Sequence, residues 1–356
     1  MALDSSWGRG FAPVRPIKRP YFVKSVLENG GDITPLYVDS GETRGTGLTN
    51  GSIAVVDDKI LVNLRHVEYT LYHAEKVKYA HPWGPVVYLH PENDWRLKTN
   101  NFVGTVNENF DGFSSYSKVD TSRWDVDPLW DFVGLEDARL VHWDGSLYLT
   151  GVRRDTTKNG VGRMELSRIL PDQNGKWKEV SRERIPIPGE HIEAIDTGPS
   201  YCEKNWMPIV DKPFHYVKWC NPVQVVKYCP EKKETTNVHL DESSYNRLDF
   251  DFRGGSHVIP YKKDYYICLT HITNLFKSET GRKNCVYRHR FVIFDKNWNV
   301  VKYTDELNFM GCHVEFSCGM AFHKGNYLIP FGTQDNSSYL LKIPEDYFDK
   351  YIGDLK

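Results

Sequence analysis

One short pattern recurs five times along the 356-residue chain: an apolar, β-rich run, a tight polar turn, and a second apolar run. The copies occupy residues 52–67, 138–154, 205–220, 256–272 and 319–335, with turns centred near Asp58, Gly145, Lys212, Lys263 and Gly325. Those turns are spaced by about 67 residues, room for one four-stranded propeller blade with its loops. A lone hairpin is marginal in water, so five of them must bury their apolar faces on one another. The pattern therefore predicts an all-β chain, a five-bladed β-propeller. Strand-like stretches between the copies, at 86–89, 223–226 and 290–294, supply outer strands. A β-sandwich is the competing arrangement. The polar residues flanking every copy favour the propeller, where strand ends converge on an axis.

Charge narrows the partners. Lys and Arg total 45 against 47 Asp and Glu, a formal net charge of −2. No basic excess exists to neutralise a nucleic-acid backbone or an anionic membrane, so neither nucleic acid nor membrane insertion is expected. Residues 1–20 hold no apolar run of signal-peptide or membrane-span length. Residues 1–45 read as an N-terminal arm and 46–356 as a single propeller domain, with an insertion around 70–130 in the first blade. The one helical candidate is 344–352, where a proline stands at the start. Seven cysteines, all in the second half and none in a Cys-x-x-Cys pair, fit a reducing, cytoplasmic compartment. His66, His73, His81 and His90 lack zinc-like spacing, so no metal and no cofactor is expected. An oligomer is compatible with the sequence.

In a propeller, residues flanking the inner strands meet at one end of the central channel although they are far apart in sequence. Before the first strand of each copy stand Asn50 and Ser52; Glu136, Asp137 and Arg139; Glu203, Lys204 and Asn205; Arg253, Ser256 and His257; and Glu315 with Cys318. After each second strand come Arg65 and His66; Arg153, Arg154 and Asp155; Lys218 and Trp219; His271; and Gln334 to Asn336. Carboxylates beside Arg, Lys and His suit glycosyl transfer: an acid or base moves a proton at oxygen while cations hold an anionic donor. Glu136 and Asp137 are adjacent on a strand, so only one faces the pocket; the other reading of the pair is a buried tie between blades through Arg139 or Arg153. Trp83, Trp206 and Trp219 are candidate platforms for sugar rings, with blade core as the alternative.

These residues carry a resemblance. Gly134-Leu-Glu-Asp-Ala-Arg-Leu140, followed by Trp143-Asp-Gly-Ser-Leu-Tyr-Leu-Thr150, resembles the Gly-x-Glu-Asp-Pro-Arg motif of glycoside hydrolase family 130. That family holds β-mannoside phosphorylases and β-mannosidases and is related to glycosyltransferase family 108, with its mannosyltransferases; all are five-bladed propellers. Asn50 to Arg65, Lys204-Asn205-Trp206, Ser256 to His271, and Cys318-Gly-Met with Phe331-Gly-Thr-Gln-Asp335 are similar to the patterns of the other blades. The resemblance implies that Asp137 is the general acid, that Arg65 and Asp335 contact sugar, and that His271 binds phosphate. Two positions depart from the pattern. Ala138 replaces the motif's proline, and Lys218-Trp-Cys-Asn-Pro222 stands where the family's His-Arg-Pro supplies a phosphate-binding arginine.

The expectation is a glycosyl-transfer enzyme, a mannosyltransferase-like transferase or a phosphorylase. It would use an anionic sugar donor, a nucleotide sugar or sugar phosphate, and a glycan acceptor. Asp137, Glu136 and Glu315 are the candidate catalytic residues. Asn50, Arg65, Arg139, Arg153, Lys204, Asn205, Trp219, Arg253, His257, His271 and Asp335 are the candidate binding residues. The alternatives are a β-glycoside hydrolase, with Glu136, Glu203 or Glu315 activating water, and a non-catalytic glycan-binding propeller.

Overall fold

The structure, a computed structural model, describes residues 21–44, 46–69, 96–191, 202–242, 252–277 and 283–355. Five antiparallel sheets follow one another along the chain, and each of the five repeated hairpins forms the inner two strands of one sheet. Blade 1 comprises Leu48–Val56, Lys59–Val67, Leu97–Val106 and Phe113–Lys118, from channel to rim. Blade 2 comprises Glu136–Trp143, Ser146–Arg153, Arg163–Pro171 and Trp177–Arg184. Blade 3 comprises Met207–Pro208, His215–Cys220, Val223–Cys229 and Glu234–Leu240. In blade 4 the broken inner strand, Arg253–Gly254 and Ile259–Tyr261, pairs with Tyr265–Lys277, and Lys283–Asp295 and Val300–Tyr303 lie outside it. In blade 5, Glu315–Phe316 and Ala321–His323 pair with Asn326–Thr333, followed outward by Ser337–Pro344 and then Asp32–Leu36 from the other end of the chain.

Turn chemistry sets the hairpins. Asp57-Asp58, Asp144-Gly145 and Lys324-Gly325 all have positive φ at both central positions, the backbone twist that two-residue hairpins require. Alternation along the strands then sends successive side chains to the two neighbouring blades. Val62 and Leu64 pack with Leu328 and Leu340 of blade 5, whereas Leu61 packs with Leu140 and Leu149 of blade 2. Five such clusters, one at each blade-to-blade contact, make up the core.

The segment expected as an arm takes part in this core. Asp32–Leu36 pairs with Ser337–Pro344, and the helix Phe22–Glu28 buries Phe22, Val23 and Val26 beside Phe291, Phe309 and Phe348. The expected insertion is in part blade 1 itself, since its outer strands occupy 97–106 and 113–118; residues 70–95, with Trp83, His73, His81 and His90, lie outside the described residues. The C-terminal helix spans Glu345–Ile352 with Pro344 at its N-cap. Among the described residues, no helix is long and apolar enough to cross a membrane.

Candidate active site

The inner strands break where they approach one end of the channel. Pairing registers shift between Thr49 and Ser52 and between Glu136 and Arg139. Asn50, Asp137 and Asn205, at corresponding places in blades 1 to 3, all have left-handed φ, at 47°, 48° and 65°. Such bulges re-aim a side chain, and they cluster beside active sites. Here they point three polar groups at one another. Asn50 Nδ2 donates to Asp137 Oδ1 at 2.9 Å, and Arg139 donates to the Asp137 carbonyl at 2.6 Å, to Asn205 Oδ1 at 3.2 Å and to the Gly255 carbonyl.

Strand alternation also places Arg65. It shares the face of Leu61 and Asn63, which looks toward blade 2, and its guanidinium reaches the acids there. Nη1 lies 2.8 Å from Asp137 Oδ1 and Nη2 lies 3.5 Å from Glu136 Oε2. Thr99 Oγ1 and the Tyr69 hydroxyl, 3.1 Å from Nη2, complete its shell. Tyr69 in turn donates to Asp335 Oδ2 at 3.4 Å. Asn50, Arg65, Glu136, Asp137 and Asp335 thus form one buried or half-buried cluster.

Its electrostatics are uneven. Burial resists ionisation of Asp137, yet Arg65, Lys204, Arg139 and the Asn50 amide outweigh it and hold this carboxyl well below the usual carboxylate range. Burial prevails at Glu136 and at Asp335 and pushes both up despite Arg65. Lys204 keeps access to solvent although neighbouring atoms displace part of its hydration, which works against its charge; Asp137 and Glu136 outweigh that and raise its pKa, so it stays an ammonium.

A second group adjoins Lys204. His271 Nδ1 sits 2.9 Å from the Gly254 carbonyl, its ring stacks on Tyr287 at 5.3 Å, and Phe316 meets it edge-on. Burial, His289, Arg253 and Lys204 push its pKa well down. The ring is therefore neutral at pH 7, with the proton on Nδ1 and Nε2 an acceptor. Burial pushes the Tyr287 phenol up to about 12. Acids and Arg65 make one half of the site, and Lys204, His271, Arg253 and Tyr287 the other. Among the described residues no cluster of three metal-ligating side chains occurs.

Several expected site residues are structural ties instead. Glu315 is buried and its carboxylate accepts from the backbone N–H of Phe309, Met310 and Cys312 at 2.6, 2.7 and 2.9 Å, which shapes the loop before blade 5. Arg153 is buried against Glu165 at 2.9 Å and Asp155 at 3.3 Å, facing a cavity between blades 1 and 2 rather than the channel. His257, fully buried, joins the Leu140 carbonyl to the Met320 amide, and Arg139 serves the bulges described above. Glu203 accepts from Trp206 Nε1 and pairs with Lys218 at 3.3 Å. That pairing occupies the lysine where an anion-binding arginine was sought, and it leaves Trp206 in the blade core. Trp219 is half-buried beside Lys218. Sequence reasoning missed Tyr69 and Tyr287. Tyr69 follows Arg65 by four residues just past the strand end, and Tyr287 belongs to a third strand, outside the inner hairpins that drew attention.

No protein-family model and no curated protein matches the sequence. Solved structures do match. A candidate glycoside hydrolase from Parabacteroides distasonis shares 14% identity at a TM-score of 0.53, covering 95% of this chain and 97% of its own. A glycosyl hydrolase from Bacteroides ovatus shares 12% at 0.52, over 87% of each chain. A member of the glycoside hydrolase family 130 of mannoside phosphorylases, reported to contain hydrolases of β-1,2 mannosidic linkages, shares 13% at 0.50 over 87% of each chain. The chain shares the five-bladed β-propeller fold of these solved structures, a member of glycoside hydrolase family 130 among them.

Proposed function

We propose that the chain is a carbohydrate-active enzyme that transfers a glycosyl group at this end of the channel. The observation that carries the reading is the Arg65 cluster, in which one carboxylate is held ionised and two others are pushed toward their protonated forms. Titratable groups driven apart by their surroundings mark acid and base assignments. The sugar ring lies against Arg65, Asp335 and Glu136, and the phosphate of an anionic donor lies against Lys204, Arg253 and the His271–Tyr287 stack. Ionised Asp137 accepts the proton of an acceptor hydroxyl as its oxygen attacks C1. The C1–O bond to phosphate breaks, and its electron pair leaves on the phosphate, beside Lys204. Run backward, the same residue donates a proton to the glycosidic oxygen.

Transfer from a phosphorylated donor accounts for the cations, which hydrolysis alone does not require. Purified protein is screened for turnover with nucleotide sugars, mannose 1-phosphate, phosphate plus β-mannosides, and β-mannosides alone, beside Asp137→Asn. Turnover with one phosphorylated donor, lost in the variant, supports the proposal. Cleavage of glycosides in phosphate-free buffer moves the assignment to a hydrolase, and binding of glycans without turnover moves it to a glycan-binding module.

A further inference from the structure

Blade 1 uses both faces of its strands at the channel end. Arg65 points toward blade 2, whereas His66 has the parity of Val62 and Leu64 and points toward blade 5. Register carries that second face across the sheet: His66 opposes Asn100, Leu64 opposes Phe102, and Phe102 opposes Lys118. Lys98, two residues from Asn100, shares it. The stretch before the first inner strand lies against this face, with Thr46 Oγ1 2.7 Å from His66 Nε2. Between them is a cavity of about 430 Å³ whose charged lining is Arg44, Arg96, Lys98 and Lys118 against Glu42 and Glu68.

Four cations against two carboxylates leave a formal charge of +2, in a chain whose total is −2. Glu68 already accepts from Asn100 Nδ2 at 2.9 Å, and burial holds His66 toward its neutral form. Arg44, Arg96 and Lys98 each have contacts of their own, and with Lys118 they give the concavity a basic lining whose guanidinium and ammonium groups suit a multiply charged oxyanion. The volume exceeds what a bare phosphate fills and lies within the range of pockets that enclose small organic ligands.

We propose that this cavity is a second site, separate from the channel, that binds the phosphoryl group of a phosphorylated sugar. It stands on its own residues, whatever reaction the channel performs. Its occupant reaches blade 1 on the face opposite Arg65, so it need not compete with a substrate held by Asp137 and Lys204.

The test is calorimetric titration of the full-length protein with inorganic phosphate, pyrophosphate and mannose 6-phosphate. Four proteins are compared: wild type, Lys118→Ala, Lys98→Ala with Lys118→Ala, and Lys204→Ala. The expected result is binding of mannose 6-phosphate that persists in Lys204→Ala, weakens with added salt, and falls about tenfold for each cavity lysine removed. Lys118 is exposed, so its single variant reads the site even where the double variant folds poorly. Three outcomes overturn the proposal: no binding of the hexose phosphate, binding indifferent to the cavity lysines, or binding abolished by Lys204→Ala alone. The last would place the ligand in the channel and leave the glycosyl-transfer reading standing.

Discussion

Asp137 and Glu136 are neighbours whose protonation is driven in opposite directions, and stability should report it. Asp137 ionises more readily in the folded chain than in the unfolded one. Its contribution is therefore complete above the unfolded carboxyl range near about pH 4 and is lost as pH falls through the lower folded value. Glu136 is the reverse: its folded pKa is raised, so its charge costs stability at neutral pH and protonation relieves that cost as pH falls. Asp137→Asn leaves Arg65 short of its nearest partner and is expected to cost about 3 kcal/mol at pH 7. It should also lower turnover by about 10²- to 10⁴-fold. Glu136→Gln is expected to stabilise by about 1 kcal/mol while slowing turnover, the trade typical of functional carboxylates. Denaturant melts of both variants at pH 7 and pH 5 check the pair, and a shift of the same sign in both would contradict the electrostatic account. The motif around Asp137 was legible because two acids at the head of an apolar strand are hard to place as filler. Which of the two acids is pushed toward its protonated form was not legible, because that depends on burial and on Arg65, 72 residues from Asp137.

At the level of the element, the hairpins were readable and their interruptions were not. Period-2 alternation marks the inner pairs from sequence alone, and the Asp-Asp, Asp-Gly and Lys-Gly turns fix those of blades 1, 2 and 5. The bulges depend on contacts between blades. Gly254 shows how tight these are, since a Cβ there would lie 1.8 Å from the Asn205 carbonyl oxygen, and backbone cannot swing aside as a side chain can. Gly254→Ala should separate blades 3 and 4 at the channel and cost about 3 kcal/mol, read as a lowered melting temperature. Glu315 separates structural from catalytic charge. Its carboxylate holds three backbone amides, so Glu315→Gln puts an amide N–H against donors and should cost about 3 kcal/mol, yet leave turnover per folded molecule unchanged. Loss of turnover without loss of stability would return Glu315 to the catalytic set. Glu315, Arg153 and His257 all read as site residues in the sequence for one reason: charge beside an inner strand serves equally to line the channel or to tie blades together, and only the partners distinguish the two.

The ring as a whole closes through residues that the sequence pattern assigned to no blade. Asp32–Leu36 is five residues long and contains a proline, too short for alternation to register, yet its side of the sheet is the rim of blade 5. Three strands of that blade come from the last part of the chain and the fourth from the first, so the blade 5 to blade 1 seam is fixed at both ends of the sequence. Leu36 joins Leu48, Leu64 and Phe102 of blade 1 with Leu340 of blade 5 in one buried cluster. The helix before it packs Phe22 at 5.8 Å from Phe291 and 5.0 Å from Tyr351, tying blade 4 and the C-terminal helix to the same closure. Removing residues 1–36 strips these contacts and bares the edge of Ser337–Pro344, an unpaired strand available to other chains. Each neighbouring blade is held by the next, so loss at one seam loosens the channel formed by all five. The truncated chain is expected to melt well below the full-length protein, to lose the sharpness of its transition, and to self-associate in a concentration-dependent way. Calorimetry and light scattering of the two proteins decide it: a truncated chain that melts as sharply, at the same temperature and as a single species, would mean that the propeller closes without its first strand.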